Sequence, residues 1–260
     1  MSSPNSRRSV LETVAKRCPV LEALEDGPHH KRDLVEALEC SRSTVDRAVR
    51  ELESLELLER TNGTYRLTLA GKLALEEYRR SADVLGSVTE ASDVLRSIPR
   101  DAPMCPCVFE NAEIDYPEPH APNEPLRRVA KQVTSEVDRF RGLSISERIP
   151  HFRHRLYEQT IEGDLDTEIV ITEEVATFLL GNYPQQVQDV VTDGNIDFYT
   201  IESVPYGLIL IETPTHSEMF LLIEGGHGVA VVRNRSKDAF EWADGIYRRY
   251  RAIGTKLEAP

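Results

Sequence analysis

The chain has 260 residues and a formal net charge of −13, with 31 Lys and Arg against 44 Asp and Glu. At roughly 100–200 residues per domain this is one large domain or two ordinary ones, and 40% hydrophobic residues exclude a disordered chain. The acid excess excludes a polyanion binder acting through overall charge, but residues 1–98 hold 15 basic and 17 acidic side chains and are close to neutral. No apolar run approaches the roughly 20 residues that span a bilayer. The opening MSSPNSRRSVLETV lacks the apolar stretch of a signal peptide. Four Cys in a chain this long make no disulfide framework. A soluble, cytoplasmic protein is expected.

Val10, Leu11, Val14, Cys18, Leu21 and Leu24 recur at helical spacing, with Pro19 expected to kink the helix or start a new one. Glu25-Asp26-Gly27-Pro28 is a stop. A short helix follows over 31–39, with Leu34, Val35 and Leu38 inward. Ser41 then caps a helix that carries Val45, Val49, Leu52 and Leu55 on one face. Leu57 to Arg60 and Tyr65 to Thr68, around Asn62-Gly63, read as a β-hairpin. Two helices joined by a tight turn and followed by a hairpin make a winged helix-turn-helix. Arg42, Ser43, Thr44, Arg47 and Arg50 lie opposite the apolar face of the second helix, where short polar and basic groups reach base edges and phosphates. Lys31, Ser41, Arg60, Asn62 and Arg66 complete the candidate DNA contacts. In the bland alternative these Arg are solvated and pair with Glu39, Asp46 and Glu53.

The stretch KRDLVEALECSRSTVDRAVRELESLELLERTNGTYRLTLAGKLA resembles the DNA-binding domains of archaeal ArsR-like and TrmB-like regulators, with SRSTVDRAVRELE at the recognition helix and LLER…YRLT at the wing. The resemblance covers about 60 residues and implies double-stranded DNA as partner. Excess acid with 25 Arg to 6 Lys is a halophile's composition, so the resemblance points to a haloarchaeal protein.

Leu69 to Ile98 reads as one long helix, capped by Thr68, with Leu73, Leu85 and Val88 in an apolar stripe. A helix too long for a small domain pairs with its symmetry mate or packs on the rest of its own chain; the homodimer is favoured. Residues 99–125 hold seven Pro and read as extended chain. Within them Cys105 and Cys107 stand one residue apart, with His120 nearby. Zinc wants four ligands and usually two to four residues between paired Cys, so packing is the expected role, with redox or metal sensing left open. Cys18 and Cys40 read as apolar fillers, and no metal site is assigned.

Beyond residue 138 strands and helices alternate: strands over 140–143 and 168–172, helices over 149–161, through 178–180 and over 184–191, then four strand-like runs over 196–201, 207–211, 218–223 and 228–232. Ser236 caps a last amphipathic helix. The pattern implies a mixed sheet with helices packed on it. AEIDYPEPHAP, TEIVITEEV, YGLILIE and AFEWADGIYRRY resemble the middle domain of FilR-type methanogenesis regulators. That resemblance, about 150 residues long, implies a regulatory, ligand-sensing domain distantly similar to phospholipase-D-like sheets.

Phospholipase-D-like catalysis needs His-x-Lys, and His151, His154 and His216 are followed by other residues. Walker, Gly-x-Ser-x-Gly and His-Glu-x-x-His motifs are absent. Gly225-Gly226-His227-Gly228 is first a hairpin turn, with His227 a further candidate to face a ligand.

The sequence therefore reads as an α+β regulator without enzymatic activity or cofactor. Its expected parts are a winged helix-turn-helix over 1–68, a connecting and dimerisation helix over 69–98, and an α/β effector domain over 99–260. The other readings are a constitutive architectural DNA-binding protein and a phosphodiesterase-like enzyme whose winged helix binds protein. In open α/β sheets ligands collect beyond the carboxyl ends of strands. Ser144, Ser146, His151, Arg153, Thr172, Glu173 and Ser203 are accordingly the candidate site for a small polar or anionic metabolite. No membrane partner is expected.

Overall fold

Helical stripes in the first part of the sequence and period-two alternation in the last are both realised in the computed structural model, which describes residues 4–147, 150–162, 165–192, 196–226 and 228–257. The chain divides into two compact units, Met1–Asp83 and Val84–Pro260. The boundary falls inside the long helix rather than at either end of it.

The first unit holds α1 (Pro4–Ala23), α2 (Lys31–Ala37), α3 (Arg42–Ser54), β1 (Leu58–Thr61), β2 (Thr64–Leu67) and the start of α4 (Leu69–Glu90). The helices bury Val14, Leu21, Leu34, Val45, Val49 and Leu52 in one core, closed by Tyr65 and Leu67 of the hairpin. Asn62 and Gly63 both take positive φ, at 53° and 84°, as a two-residue turn between strands demands. Ser41 caps α3, and Thr68 caps α4 by accepting from the Gly71 N–H at 3.0 Å. Of the two expectations at Pro19, a new helix does not start there: α1 runs through it. Proline removes one helical hydrogen bond there, and the burial of Val14, Cys18, Val20 and Leu21 on both sides holds the helix together.

The expected helix over 69–98 stops at Glu90, and a separate short helix, α5 (Ser92–Leu95), follows Ala91. Ala91 and Val94 are buried in the second unit's core, which turns the chain there. Residues 99–125 are more structured than extended chain. They form a 3₁₀ turn at Pro106–Val108, the edge strand β3 (Glu113–Asp115), and the start of α6 (Glu124–Ala130). Val108 and Phe109 are buried, and Cys105 and Cys107 are disulfide-bonded to each other.

The sheet of the second unit is built from β3, β4 (Arg139–Ser144), β5 (Asp166–Thr172), β6 (Ile196–Ile201), β7 (Gly207–Glu212), β8 (Ser217–Gly225), β9 (Gly228–Asn234) and β10 (Thr255–Lys256). Among the described residues the strand order is β10-β6-β5-β4-β7-β8-β9-β3. β4, β5 and β6 are parallel, joined through α7 (Pro150–Glu162) and then through α8 (Glu173–Asn182) and α9 (Pro184–Thr192). β7, β8 and β9 continue as an antiparallel meander. The last helix, α10 (Lys237–Ile253), is capped by Ser236.

Both faces of the sheet are covered, which explains near-continuous apolar runs such as Leu208-Ile209-Leu210-Ile211. Ile209 and Ile211 face the core under α7, α8 and α9; Leu208 and Leu210 face the core under α10. Ile169 and Ile171 against Val170 repeat the alternation on β5.

Candidate functional site

Two places carry chemistry, one in each unit. In the first unit, α3 buries Val45, Ala48, Val49 and Leu52 and leaves Arg42, Ser43, Thr44, Arg47 and Arg50 exposed. The Ser41 hydroxyl accepts from the Thr44 N–H at 3.2 Å and lies 2.9 Å from the Ser43 hydroxyl. The start of the helix thus presents small hydroxyls beside Arg42.

Arg47 donates to Glu51 at 3.0 Å, and Arg50 donates to the Asp46 carbonyl at 3.1 Å. Both arginines are solvent-exposed. Exposed pairs of this kind contribute little to stability, on the order of 0–1 kcal/mol, and yield readily to a phosphate. Lys31 is placed differently. Its ammonium reaches Asp46 at 2.7 Å, between α2 and α3, and lies 5.3 Å from the Tyr65 ring centroid. That hydrogen bond raises the Lys31 pKa and lowers that of Asp46, so the pair stays charged.

On the wing, Arg60, Asn62 and Arg66 are exposed, and Arg66 pairs with Glu59 across the hairpin at 2.6 Å. Two groups behind this surface escaped the sequence reading. Arg17 is buried and donates to Glu51 at 2.8 Å, fixing α1 to α3. With Arg47 on its other oxygen, Glu51 is held at about 2, below its ordinary 4.5, chiefly by the hydrogen bond from Arg17. The His30 ring lies 3.0 Å from the Gly63 carbonyl and ties the wing tip to the start of α2, while His29 and Tyr65 exchange backbone bonds at 3.0 and 2.8 Å. Paired histidines just before a helix were the available signal.

In the second unit the expected effector residues separate. Thr172 is buried and spends its hydroxyl accepting from the Val175 N–H at 3.3 Å. Glu173 and Glu174 occupy the first turn of α8 and oppose an anion at that helix start. Ser203 is exposed and does not line the cavity of this unit described next. The side chain of His151 and the whole of His227 lie outside the described residues. Ser144, Ser146 and Arg153 do come together, at the edge of a cavity of about 150 Å³.

Phe140, Phe152, Leu156, Ile169, Val187 and Phe198 wall this cavity between the sheet and the helices α7 and α9. Its polar rim is Ser144, Ser146, Glu147, Arg153, Gln186 and Glu224. The Arg153 guanidinium donates to Glu147 at 2.9 Å and to Gln186, and lies 3.6 Å over the Tyr183 ring. The Ser146 hydroxyl donates to Glu224. Burial pushes the Glu147 carboxyl up, with Arg153 pulling the other way.

Two descriptions of protein families match the chain. The HVO_A0261 N-terminal domain matches residues 6–90, and the middle domain of the methanogenesis regulatory protein FilR1 matches residues 122–253, just over half of the chain. No curated protein matches.

Among solved structures, the chain is similar to TrmBL2, an archaeal chromatin protein, at 14% identity and a TM-score of 0.43, over 97% of this chain and 100% of that one. An IclR homolog from Microbacterium sp. strain HM58-2 aligns at 15% identity and a TM-score of 0.25, over 92% and 98% of the two chains. A proposed O-methyltransferase from Nostoc punctiforme aligns at 16% and 0.29, over 78% and 65%. Among the described residues no helix is long and apolar enough to cross a membrane. On the strength of the match over residues 122–253, downstream of a winged helix, the chain belongs to the FilR1 middle-domain family of regulatory proteins.

Proposed function

We propose that this chain is a DNA-binding transcription regulator whose operator affinity is tuned by a small molecule held in the second unit. The observation that carries the reading is the exposed face of α3, where Arg42, Ser43, Thr44, Arg47 and Arg50 stand opposite a fully buried apolar face. A recognition helix needs that division: one side fixed to the domain, the other free to enter a major groove. Arg60, Asn62 and Arg66 on the hairpin supply phosphate or minor-groove contacts beside it. The regulatory family match and the cavity in the second unit support the tuning half of the proposal. Tuning requires that the ligand bind DNA-competent and DNA-incompetent states with different affinity.

The protein works as a homodimer in this proposal, supported by the exposure of Leu73 and Leu85 on α4 and by the two-fold operators such proteins read. Fluorescence-anisotropy titration of the full chain against genomic fragments recovered by pull-down tests the function. Saturable binding that discriminates recovered fragments from random duplex supports it, and equal weak binding to every duplex overturns it.

A further inference from the structure

We propose that the cavity of the second unit is the site of an uncharged, largely apolar ligand that ends in a hydroxyl; this deepens, and rests on, the reading of that unit as the regulatory half. Protein interiors seldom leave voids much larger than a water molecule. This one, at about 150 Å³, is walled mainly by aromatic and aliphatic side chains, and its polar lining residues Ser144, Ser146, Glu147, Arg153, Gln186 and Glu224 bond among themselves. That is the pattern of a site for a molecule with an apolar body and a single polar head.

The sequence keeps the space open. Along β4 the cavity wall runs Phe140, Gly142, Ser144. A Cβ added at Gly142 would meet only ordinary contacts, 3.4 Å to the Leu208 carbonyl and 3.5 Å to the Phe140 ring, so a larger residue has room there and is not used.

The rim sets the charge of the head. Among the described residues the rim carries the carboxylates Glu147 and Glu224 and the Arg153 guanidinium, and both carboxylates already have partners. Arg153 is already held by Glu147, Gln186 and the Tyr183 ring, so an incoming anion has to displace a carboxylate to reach it. A hydroxyl displaces no carboxylate: it donates to a lone pair of a rim carboxylate, while the protons of Ser144 and Ser146 stay on the Ser146 carbonyl and Glu224. Of the residues expected to hold an anionic metabolite, Ser144, Ser146 and Arg153 wall the cavity, whereas Thr172, Glu173 and Ser203 do not.

The test uses 1-octanol and octanoate, which share a chain and differ in the head. Both are titrated calorimetrically, near neutral pH, into the full-length protein, its Gly142→Val variant and its Ile169→Phe variant. Circular dichroism and melting temperature report whether each variant folds. Octanol is expected to bind, octanoate at least about tenfold more weakly, and the filled variants are expected to lose octanol binding while remaining folded. Octanoate binding as tightly as octanol overturns the assignment of the head. Absence of binding by either probe, or octanol binding that survives both folded variants, overturns the site. The DNA titration separates the two proposals: octanol binding by a protein that ignores DNA supports the pocket assignment and removes the regulator reading.

Discussion

Gly71 illustrates how much a single position can hide. From sequence it is a weak helix former near the start of a helix. In the structure a Cβ there would lie 2.1 Å from the Leu57 carbonyl oxygen, because the first turn of α4 presses against the end of the segment after α3. Gly71→Ala is therefore expected to destabilise the winged helix by about 1–3 kcal/mol despite its better helix propensity; a denaturant melt with unchanged or raised stability would contradict the packing. Arg47 carries the opposite expectation. Its pair with Glu51 is exposed, so Arg47→Ala changes stability by only about 0.5 kcal/mol or less. The same change lowers specific DNA affinity by about 1–3 kcal/mol if the guanidinium meets a base edge. Glu51 supplies a pH signature. Its carboxyl is held at about 2 in the fold against an ordinary 4.5, so its contribution is present above about 4.5 and is lost as pH falls toward 2. Acid titration of Glu51→Gln should show a flatter loss of stability over that window than the wild type. Parallel curves would mean that the Arg17 and Arg47 bonds do not discriminate between the charged and neutral carboxyl.

Elements announced by local chemistry were legible in the sequence. Ser41, Thr68 and Ser236 cap helices through side-chain oxygens, and Asn62-Gly63 turns the wing, because each of these signals acts within four residues. Elements held by distant packing were not. β3 forms because its backbone pairs with β9, Ile114 opposite Val232, and no alternation within three residues announces it. α1 passes through Pro19 because its buried face outweighs one lost hydrogen bond. The apolar pattern of 69–98 misled in another way. Spacings of three and four residues drift, and at about 100° per residue Leu73 and Leu85 lie about 120° apart on a helix. Leu73 and Leu85 are exposed, at 57% and 67%, whereas Val88 packs into the second unit's own core. A homodimer that covers both leucines has to wrap around α4. Leu85→Glu is expected to convert dimers to folded monomers with weaker operator binding, measured by analytical ultracentrifugation; a wild-type chain that sediments as a monomer at micromolar concentration would remove the dimer. The cavity was half legible. Strand ends and Ser144, Ser146 and Arg153 marked its rim, but its apolar body was not, because β4 to β9 each feed two cores and sequence alternation does not say which of them is incompletely filled.

For the whole molecule, the charge asymmetry and the two-unit division support a separation of labour. The nearly neutral winged helix is the part proposed to meet DNA, and the acidic second unit, which carries most of the −13, has the wrong sign to attract phosphates. Its field repels the duplex, so the loss of affinity with added salt should be shallower than the roughly 0.9 log units per log of salt expected for each phosphate contact. If the ligand of the second unit tunes the first, its saturation should change operator affinity by about 5- to 150-fold, and operator DNA must change ligand affinity by the same factor. The central claim, that the exposed face of α3 reads DNA, is met most directly by mapping occupancy of the wild-type chain and of an Arg42→Ala/Arg47→Ala variant across the genome of the source cell. The account predicts that the wild type concentrates at discrete sites sharing a sequence, and that the variant, folded and equally abundant, loses them. Occupancy indistinguishable from background for the wild type, or unchanged peaks in the variant, would contradict it.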